Sequence, residues 1–111
     1  MVDVTNTEST ELVNLCDRVK EGIKQNAFKA CMEDICYAMY LHPDSPEPHN
    51  LMGILMEKQR NHLGAMKHFR AALDLDPTYL PARENMMDYA RFDIPAPRCR
   101  FCYADCYEQE A

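Results

Sequence analysis

Three cysteines near the C-terminus are the residues whose types and spacing most directly suggest chemistry. Cys99, Cys102 and Cys106 are separated by two and by three residues. Two residues between cysteines allow both thiolates to reach one metal ion, but a structural zinc site takes four ligands. The fourth would have to come from Asp105, from another subunit or from one of the histidines of the chain, which are His42, His49, His62 and His68.

This cysteine cluster leaves three interpretations open. The first is a zinc site that orders the C-terminus. The second is a redox-reactive pair of Cys99 and Cys102, because Arg98 and Arg100 flank Cys99 and reactive cysteines lie in electropositive surroundings. The third is a tail whose cysteines hold no cofactor. We expect the third, with zinc as the alternative.

The other three cysteines lie inside helical patterns. Six cysteines in a short chain can form a disulfide framework, but such chains are secreted and rich in loops. This chain has only three glycines, and Cys16, Cys31 and Cys36 follow helical spacing. We therefore expect reduced thiols and a cytoplasmic protein.

Size and charge limit the classes of function. The 111 residues have the length of one domain. Acidic residues outnumber basic ones by 18 to 12, and this net charge of −6 disfavours nucleic acid and anionic membranes as partners. The polar residues 1–10 do not resemble a secretory signal, and no apolar run approaches the roughly 18 residues that span a bilayer. We find no phosphate-binding loop and no nucleophile–base set, so we expect no enzyme activity.

The residues between these ends contain an internal repeat with a period of 34. At this offset small residues fall on small ones, large apolar residues on large ones and proline on proline. The matching pairs are Cys31 with Ala65, Ile35 with Phe69, Ala38 with Ala72, Met39 with Leu73, Leu41 with Leu75, and Pro43 with Pro77.

Each copy of the repeat predicts two helices. In the second copy, apolar residues recur at helical spacing over residues 51–56 and again over 63–73, with a turn at 59–61. The first copy follows the same plan from Leu12, with a turn near Asn26. Pro43 and Pro77 end the two copies because proline cannot continue a helix. A fifth helix is predicted over about 79–92, before Pro95 and Pro97.

The period and its punctuation resemble the tetratricopeptide repeat (TPR). The family's pattern of Trp, two residues, Leu-Gly, two residues and Tyr is matched here by a run from His49 to Met56 that includes Gly53. His49 departs from the family's aromatic residue, and Met52 and Met56 are apolar replacements. The second copy then has the small, aromatic and proline residues of the family at Ala65, Phe69, Ala72 and Pro77.

The resemblance covers residues 12–92 and implies an all-α fold. It predicts a right-handed solenoid of helical hairpins, with two TPR-like repeats over about 12–45 and 46–79 and a capping helix over about 79–92. Around this TPR domain of residues 9–93 we expect a flexible N-terminal tail over 1–8 and a Cys-rich C-terminal tail over 94–111. Gly53 and Ala65 would lie where two helices approach closely, since small side chains are needed there.

The resemblance also implies a scaffold that binds a peptide or a partner helix in a groove lined by the first helix of each pair. The groove positions carried over to this chain are Val13, Cys16, Lys20, Ile23, Lys24, Glu47, Asn50, Ile54, Glu57, Lys58, Glu84, Asp88 and Arg91. Lys20, Lys24 and Lys58 would suit an acidic or C-terminal carboxylate ligand. The family's carboxylate clamp for chaperone tails is not matched, because its positions hold Cys16, Lys20, Leu51, Pro81 and Asn85.

Two alternatives remain at this stage. One is a zinc- or thiol-responsive protein that uses the cysteines at 99, 102 and 106. The other concerns the apolar end of the fifth helix, which could be covered by the C-terminal tail or could form a homodimer through Met86, Met87, Tyr89 and Phe92.

Overall fold

The computed structural model describes residues 4–91 and 98–107, with side chains from residue 10 onward. This part of the chain is all helical and contains no strand, as the sequence predicts. No helix within it has both the length and the apolar character needed to cross a membrane. The helices are α1 (Val4–Lys24), α2 (Phe28–Leu41), α3 (Glu47–Lys58), α4 (His62–Leu75), α5 (Leu80–Tyr89) and α6 (Tyr103–Tyr107).

Two helix ends differ from those that the sequence predicts. Helix α1 begins at Val4, inside the segment 1–8 that we expected to be a flexible tail. Helix α5 ends at Tyr89, where residue 92 was expected, and Phe92 lies outside the described residues.

The first two helical hairpins have matching backbones. Helices α2 and α4 begin and end at positions 34 residues apart, and so do the last residues of α1 and α3. Asn26 and Arg60 are equivalent at this offset, and both adopt a left-handed backbone, with φ of 59° and 64°. In each turn the next amide donates to the carbonyl five residues back at 2.8 Å, from Ala27 in the first hairpin and Asn61 in the second.

The helices form two layers. Each of the first five helices packs against its neighbours along the chain, and α3 also contacts both α1 and α5. Helices α2 and α4, both described in full, make no such contact with each other. The layer of α1, α3 and α5 is therefore the more tightly packed, and its outer face is the one on which we expected a ligand.

Close packing of α3 on α4 depends on a glycine, as the sequence predicts. A Cβ atom on Gly53 would come within 2.5 Å of the Phe69 ring. Phe69 is fully buried and stacks on Tyr89, with the ring centroids 6.1 Å apart. Ala65 is also fully buried, and the equivalent Cys31 is 3% exposed, which agrees with a small core residue at this position.

The residues from 98 to 107, which we call the C-terminal segment, pack onto the helices. Phe101 is 8% exposed and belongs to the same apolar cluster as the cores of α1 to α4, with Cys99 and Cys102 packed against it. Helix α6 contacts α5. The sequence predicted a separate tail over 94–111 because this segment has no helical periodicity. Its first residues are not helical, and they pack through side chains placed at irregular intervals.

Candidate functional site

The groove is the face formed by α1, α3 and α5, and the C-terminal segment lies in it. Asn85 of α5 holds the main chain of Arg100 at two points. Its Oδ1 accepts the Arg100 N–H at 2.8 Å, and its Nδ2 donates to the Arg100 carbonyl at 2.9 Å. Asn50 of α3 donates to the same carbonyl at 2.9 Å. The two amides therefore bind a peptide backbone without regard to its side chain.

Both asparagines are fully buried, and their amides are joined to each other. Asn85 Nδ2 donates to Asn50 Oδ1 at 2.8 Å. Buried polar groups are costly unless they are hydrogen-bonded, and here Arg100 of the C-terminal segment supplies a donor and an acceptor. The groove is thus built around an extended residue that crosses it.

The side chain of Arg100 points toward two carboxylates of α5. Its Nε donates to Glu84 Oε2 at 2.9 Å, and its Nη2 lies 3.8 Å from Asp88 Oδ2. The side chains of all three residues are between 19% and 30% exposed. Charge-assisted hydrogen bonds in such partly desolvated surroundings are stronger than exposed surface pairs.

A lysine of α1 binds the other end of the segment. Lys20 Nζ donates to Asp105 Oδ1 at 2.9 Å and lies 5.7 Å from the centroid of the Phe101 ring. Asp105 Oδ2 accepts the Phe101 N–H at 2.8 Å, and its side chain is only 5% exposed. The segment therefore folds into a turn around the Asp105 carboxylate, which Lys20 neutralises.

The predicted lysines surround one pocket beside the segment. It has a volume of about 340 Å³ and is lined by Lys20, Ile23, Lys24, Lys58, Arg98, Cys99 and Phe101. Lys24 and Lys58 are exposed. The structure thus brings the three lysines together and adds Arg98, which makes this the basic end of the groove.

Other predicted groove residues have different surroundings. Val13 is 52% exposed, whereas Cys16, at 2%, and Ile54, at 0%, belong to the core. Glu57 points to the α3–α4 turn, where its Oε2 lies 2.7 Å from His62 Nδ1. Arg91 is exposed beyond the end of α5. The groove that contacts the segment is therefore narrower than the resemblance implies.

Sequence reasoning missed the most important residue of the groove. Asn85 was compared only with the chaperone clamp, and Arg100, Phe101 and Asp105 were assigned to a tail. The available signal was an asparagine within each of the second and third first-layer helices, since asparagine is a poor helix former and is rarely kept there without a partner.

The three C-terminal cysteines do not converge. Cys99 Sγ lies 2.8 Å from the Tyr89 hydroxyl, and Cys106 Sγ donates to the Cys102 carbonyl at 3.8 Å. Burial, and then the nearby Glu84 carboxylate, raise the pKa of the Cys106 thiol to about 12. Among the described residues no group of three side chains could hold a metal ion. Zinc binding by these thiols would require another arrangement of the segment, and it stays a prediction.

Two histidines, both considered as fourth zinc ligands, pair with each other. His49 of α3 and His68 of α4 stack with centroids 5.4 Å apart, and their Nδ1 atoms lie 3.1 Å apart. Burial lowers the pKa of both rings, and the charge of His49 lowers the pKa of His68 further. The neutral form of both rings is therefore favoured in the folded protein.

The residues proposed for a homodimer do not share one face. Met86 and Tyr89 are half-buried against the main apolar cluster, and Met87 is 59% exposed. Phe92 lies outside the described residues. Homodimerisation through this end of α5 stays a prediction.

A second cavity lies between α1 and α2, away from the C-terminal segment. Its volume is about 380 Å³, and its apolar lining includes Leu12, Leu15 and Leu41. Arg18 and Asp34, which also line it, form an ion pair at 3.5 Å. It contains no cluster of groups suited to catalysis.

The described fold and site define an all-helical chain whose groove is filled by its own C-terminal segment. No family model matches this chain, and no solved structure matches it.

Proposed function

We propose that the protein is an interaction module, a TPR-like solenoid of two helical hairpins and a capping helix that binds an extended peptide in the groove of α1, α3 and α5. One observation carries the proposal. The buried amides of Asn50 and Asn85 hydrogen-bond the main chain of Arg100, which is how a groove can bind a peptide in extended conformation.

The solenoid part of the proposal is supported by the backbone. The helix ends and the left-handed turn residues Asn26 and Arg60 repeat after 34 residues. A repeat of helical pairs buries its apolar faces by stacking, and the contact of α3 with both α1 and α5 fits that arrangement.

The binding part is supported by the energetics of the two buried asparagines. If the C-terminal segment left the groove, both amides would lose their partners, at a cost of about 1–3 kcal/mol for each unsatisfied group. Water or another peptide would then have to replace Arg100. A peptide offers the same donor and acceptor in the same geometry.

The test measures binding of a fluorescent peptide to the full-length chain. The peptide copies residues 98–107, with serine for each cysteine, and the chain carries Arg100→Glu to weaken its own segment. We expect saturable binding by fluorescence anisotropy. Binding should be lost when Asn85→Leu is added, because leucine has a similar shape and no hydrogen-bonding groups.

The matched control is Asn14→Leu, since Asn14 is an exposed asparagine of α1. It should leave peptide binding unchanged. Circular dichroism checks that each variant keeps its helix content. If the Arg100→Glu chain has native helicity and binds no peptide at any accessible concentration, the proposed function is wrong.

A further inference from the structure

We infer that the groove selects peptides in which an arginine is followed directly by an aromatic residue, with an acidic residue four positions after the aromatic. In this view the C-terminal segment is an intramolecular copy of that ligand, which a partner must displace. The inference rests on the proposed function and specifies its ligand class.

The arginine position is defined by the acidic side of the groove. The Asn50–Asn85 pair fixes the main chain at one residue, so the side chain of that residue must point where Arg100 points. There it meets the carboxylates of Glu84 and Asp88. A guanidinium can donate to both through different nitrogens, whereas a lysine ammonium is a single point charge.

The aromatic position follows directly from the arginine position. With Arg100 fixed, the next residue turns into the apolar cluster, where Phe101 is 8% exposed. The ammonium group of Lys20 lies 5.7 Å from the ring centroid, within the range of a cation–π contact. An aliphatic residue could fill part of this space, but it would lose the contact with Lys20.

The acidic position is set by a turn in the ligand. One oxygen of Asp105 accepts the backbone N–H of Phe101, and the other accepts from Lys20. An acid four residues after the aromatic can satisfy both groups at once. A neutral residue there would leave Lys20 without this carboxylate.

The charges also fix the direction of the ligand. The carboxylates that bind the arginine belong to α5, and the lysine that binds the acid belongs to α1, on the other side of α3. A peptide with the two charges exchanged would place like charges together at both ends. Such repulsion is a strong source of specificity.

The intramolecular copy makes binding competitive. Segments joined by a short linker reach effective concentrations in the mM range, so a free peptide must outcompete a tethered one. Weakening the tethered copy should therefore expose the preference of the groove, provided that the groove residues are left intact.

The experiment uses the full chain with Arg100→Glu and Asp105→Lys, which alter only the C-terminal segment. Three ten-residue peptides are compared, each with serine for cysteine. The first copies residues 98–107, the second exchanges the two charges, and the third is a shuffled sequence of the same composition. We expect the first peptide to bind at least about tenfold more tightly than the others.

A reversed groove provides the complementary measurement. In a chain that also carries Glu84→Arg and Lys20→Glu, the preference should change to the charge-exchanged peptide. If any variant loses helix content, the same three peptides are titrated into the wild-type chain, where binding should be weaker but ranked in the same order.

The outcomes separate the two proposals. Equal binding of all three peptides would overturn the ligand class and leave the proposed function intact, whereas no binding of any peptide would overturn both. A preference that the reversed groove does not change would also overturn the ligand class. A wild-type chain that elutes as a dimer, with the segment exchanged between copies, would overturn the intramolecular assignment.

Discussion

At the scale of single residues, Asn50 and Asn85 connect the groove to the C-terminal segment. Asparagine favours neither helix interiors nor full burial, yet both residues lie in helices and are completely buried. Their amides are satisfied by each other and by one residue of the segment. A local cost in helix propensity is thus offset by a hydrogen-bonded network.

We predict that Asn85→Ala lowers the free energy of unfolding by about 1–3 kcal/mol, because the N–H of Arg100 loses its acceptor in a buried site. Urea denaturation followed by circular dichroism measures this. Asn14→Ala, at an exposed position of α1, should change stability by less than about 0.5 kcal/mol. Equal effects of the two substitutions would contradict this role for Asn85.

The His49–His68 pair predicts a dependence of stability on pH. Burial lowers the pKa of both rings, so the unfolded chain binds more protons than the folded chain once the pH falls toward the ordinary value of 6.5. The contribution of the pair is present above that pH and is lost as the pH falls through and below it.

The measurement compares the urea midpoint of the wild type with that of the His49→Gln, His68→Gln double variant between pH 8 and pH 5. The wild type should lose more stability on acidification than the variant. Parallel profiles would show that the pair does not contribute. Because His42 and His62 are unchanged, their titration is common to both proteins.

At the scale of elements, the ends of the helices were easier to predict than the contacts of the C-terminal segment. Proline and the period of 34 residues indicated where the first four helices end, because these signals are local. The position of the segment depends on Arg100, Phe101 and Asp105 meeting residues of α1, α3 and α5. No local pattern encodes such distant partners, so sequence reasoning found half of the groove and none of its occupant.

The contact of α3 with α4 gives a prediction at this scale. Gly53→Ala should lower the free energy of unfolding by about 1–2 kcal/mol, because the added methyl group would overlap the buried Phe69 ring. Alanine favours a helix by about 1 kcal/mol relative to glycine, so the net loss would have to exceed that gain.

The matched control is Ala30→Gly, at an exposed position of α2, which measures the helix propensity in the same chain. It should be destabilising. If Gly53→Ala instead raises stability by the amount that Ala30→Gly loses, the close approach of Phe69 has no energetic effect.

At the scale of the whole molecule, the C-terminal segment and the helices share one apolar core. Phe101 belongs to the same cluster as residues of α1, α2, α3 and α4. A cluster of this kind unfolds cooperatively in a small domain. The segment therefore contributes to the stability of helices that lie far from it in sequence.

We predict that Phe101→Ala lowers the free energy of unfolding by about 3 kcal/mol, as is typical when a buried phenylalanine is truncated. Thermal unfolding should remain a single transition at a lower midpoint. Tyr107→Ala, in the same segment but 67% exposed, is the control and should change little. If Phe101→Ala has no effect, the segment is the separate tail that the sequence suggested.

The burial of Cys16 gives this protein an internal measure of groove opening. Its thiol is 2% exposed on α1, and the charges of Cys102 and Asp105 in the C-terminal segment help raise its pKa to about 12. A thiol reagent can attack it only in molecules where the surroundings have opened, whereas Cys36 is always exposed. Provided that opening and closing are fast, the alkylation rate of Cys16 relative to an unprotected thiol equals the open fraction. The same reaction, followed by mass spectrometry, would report how often the groove is free.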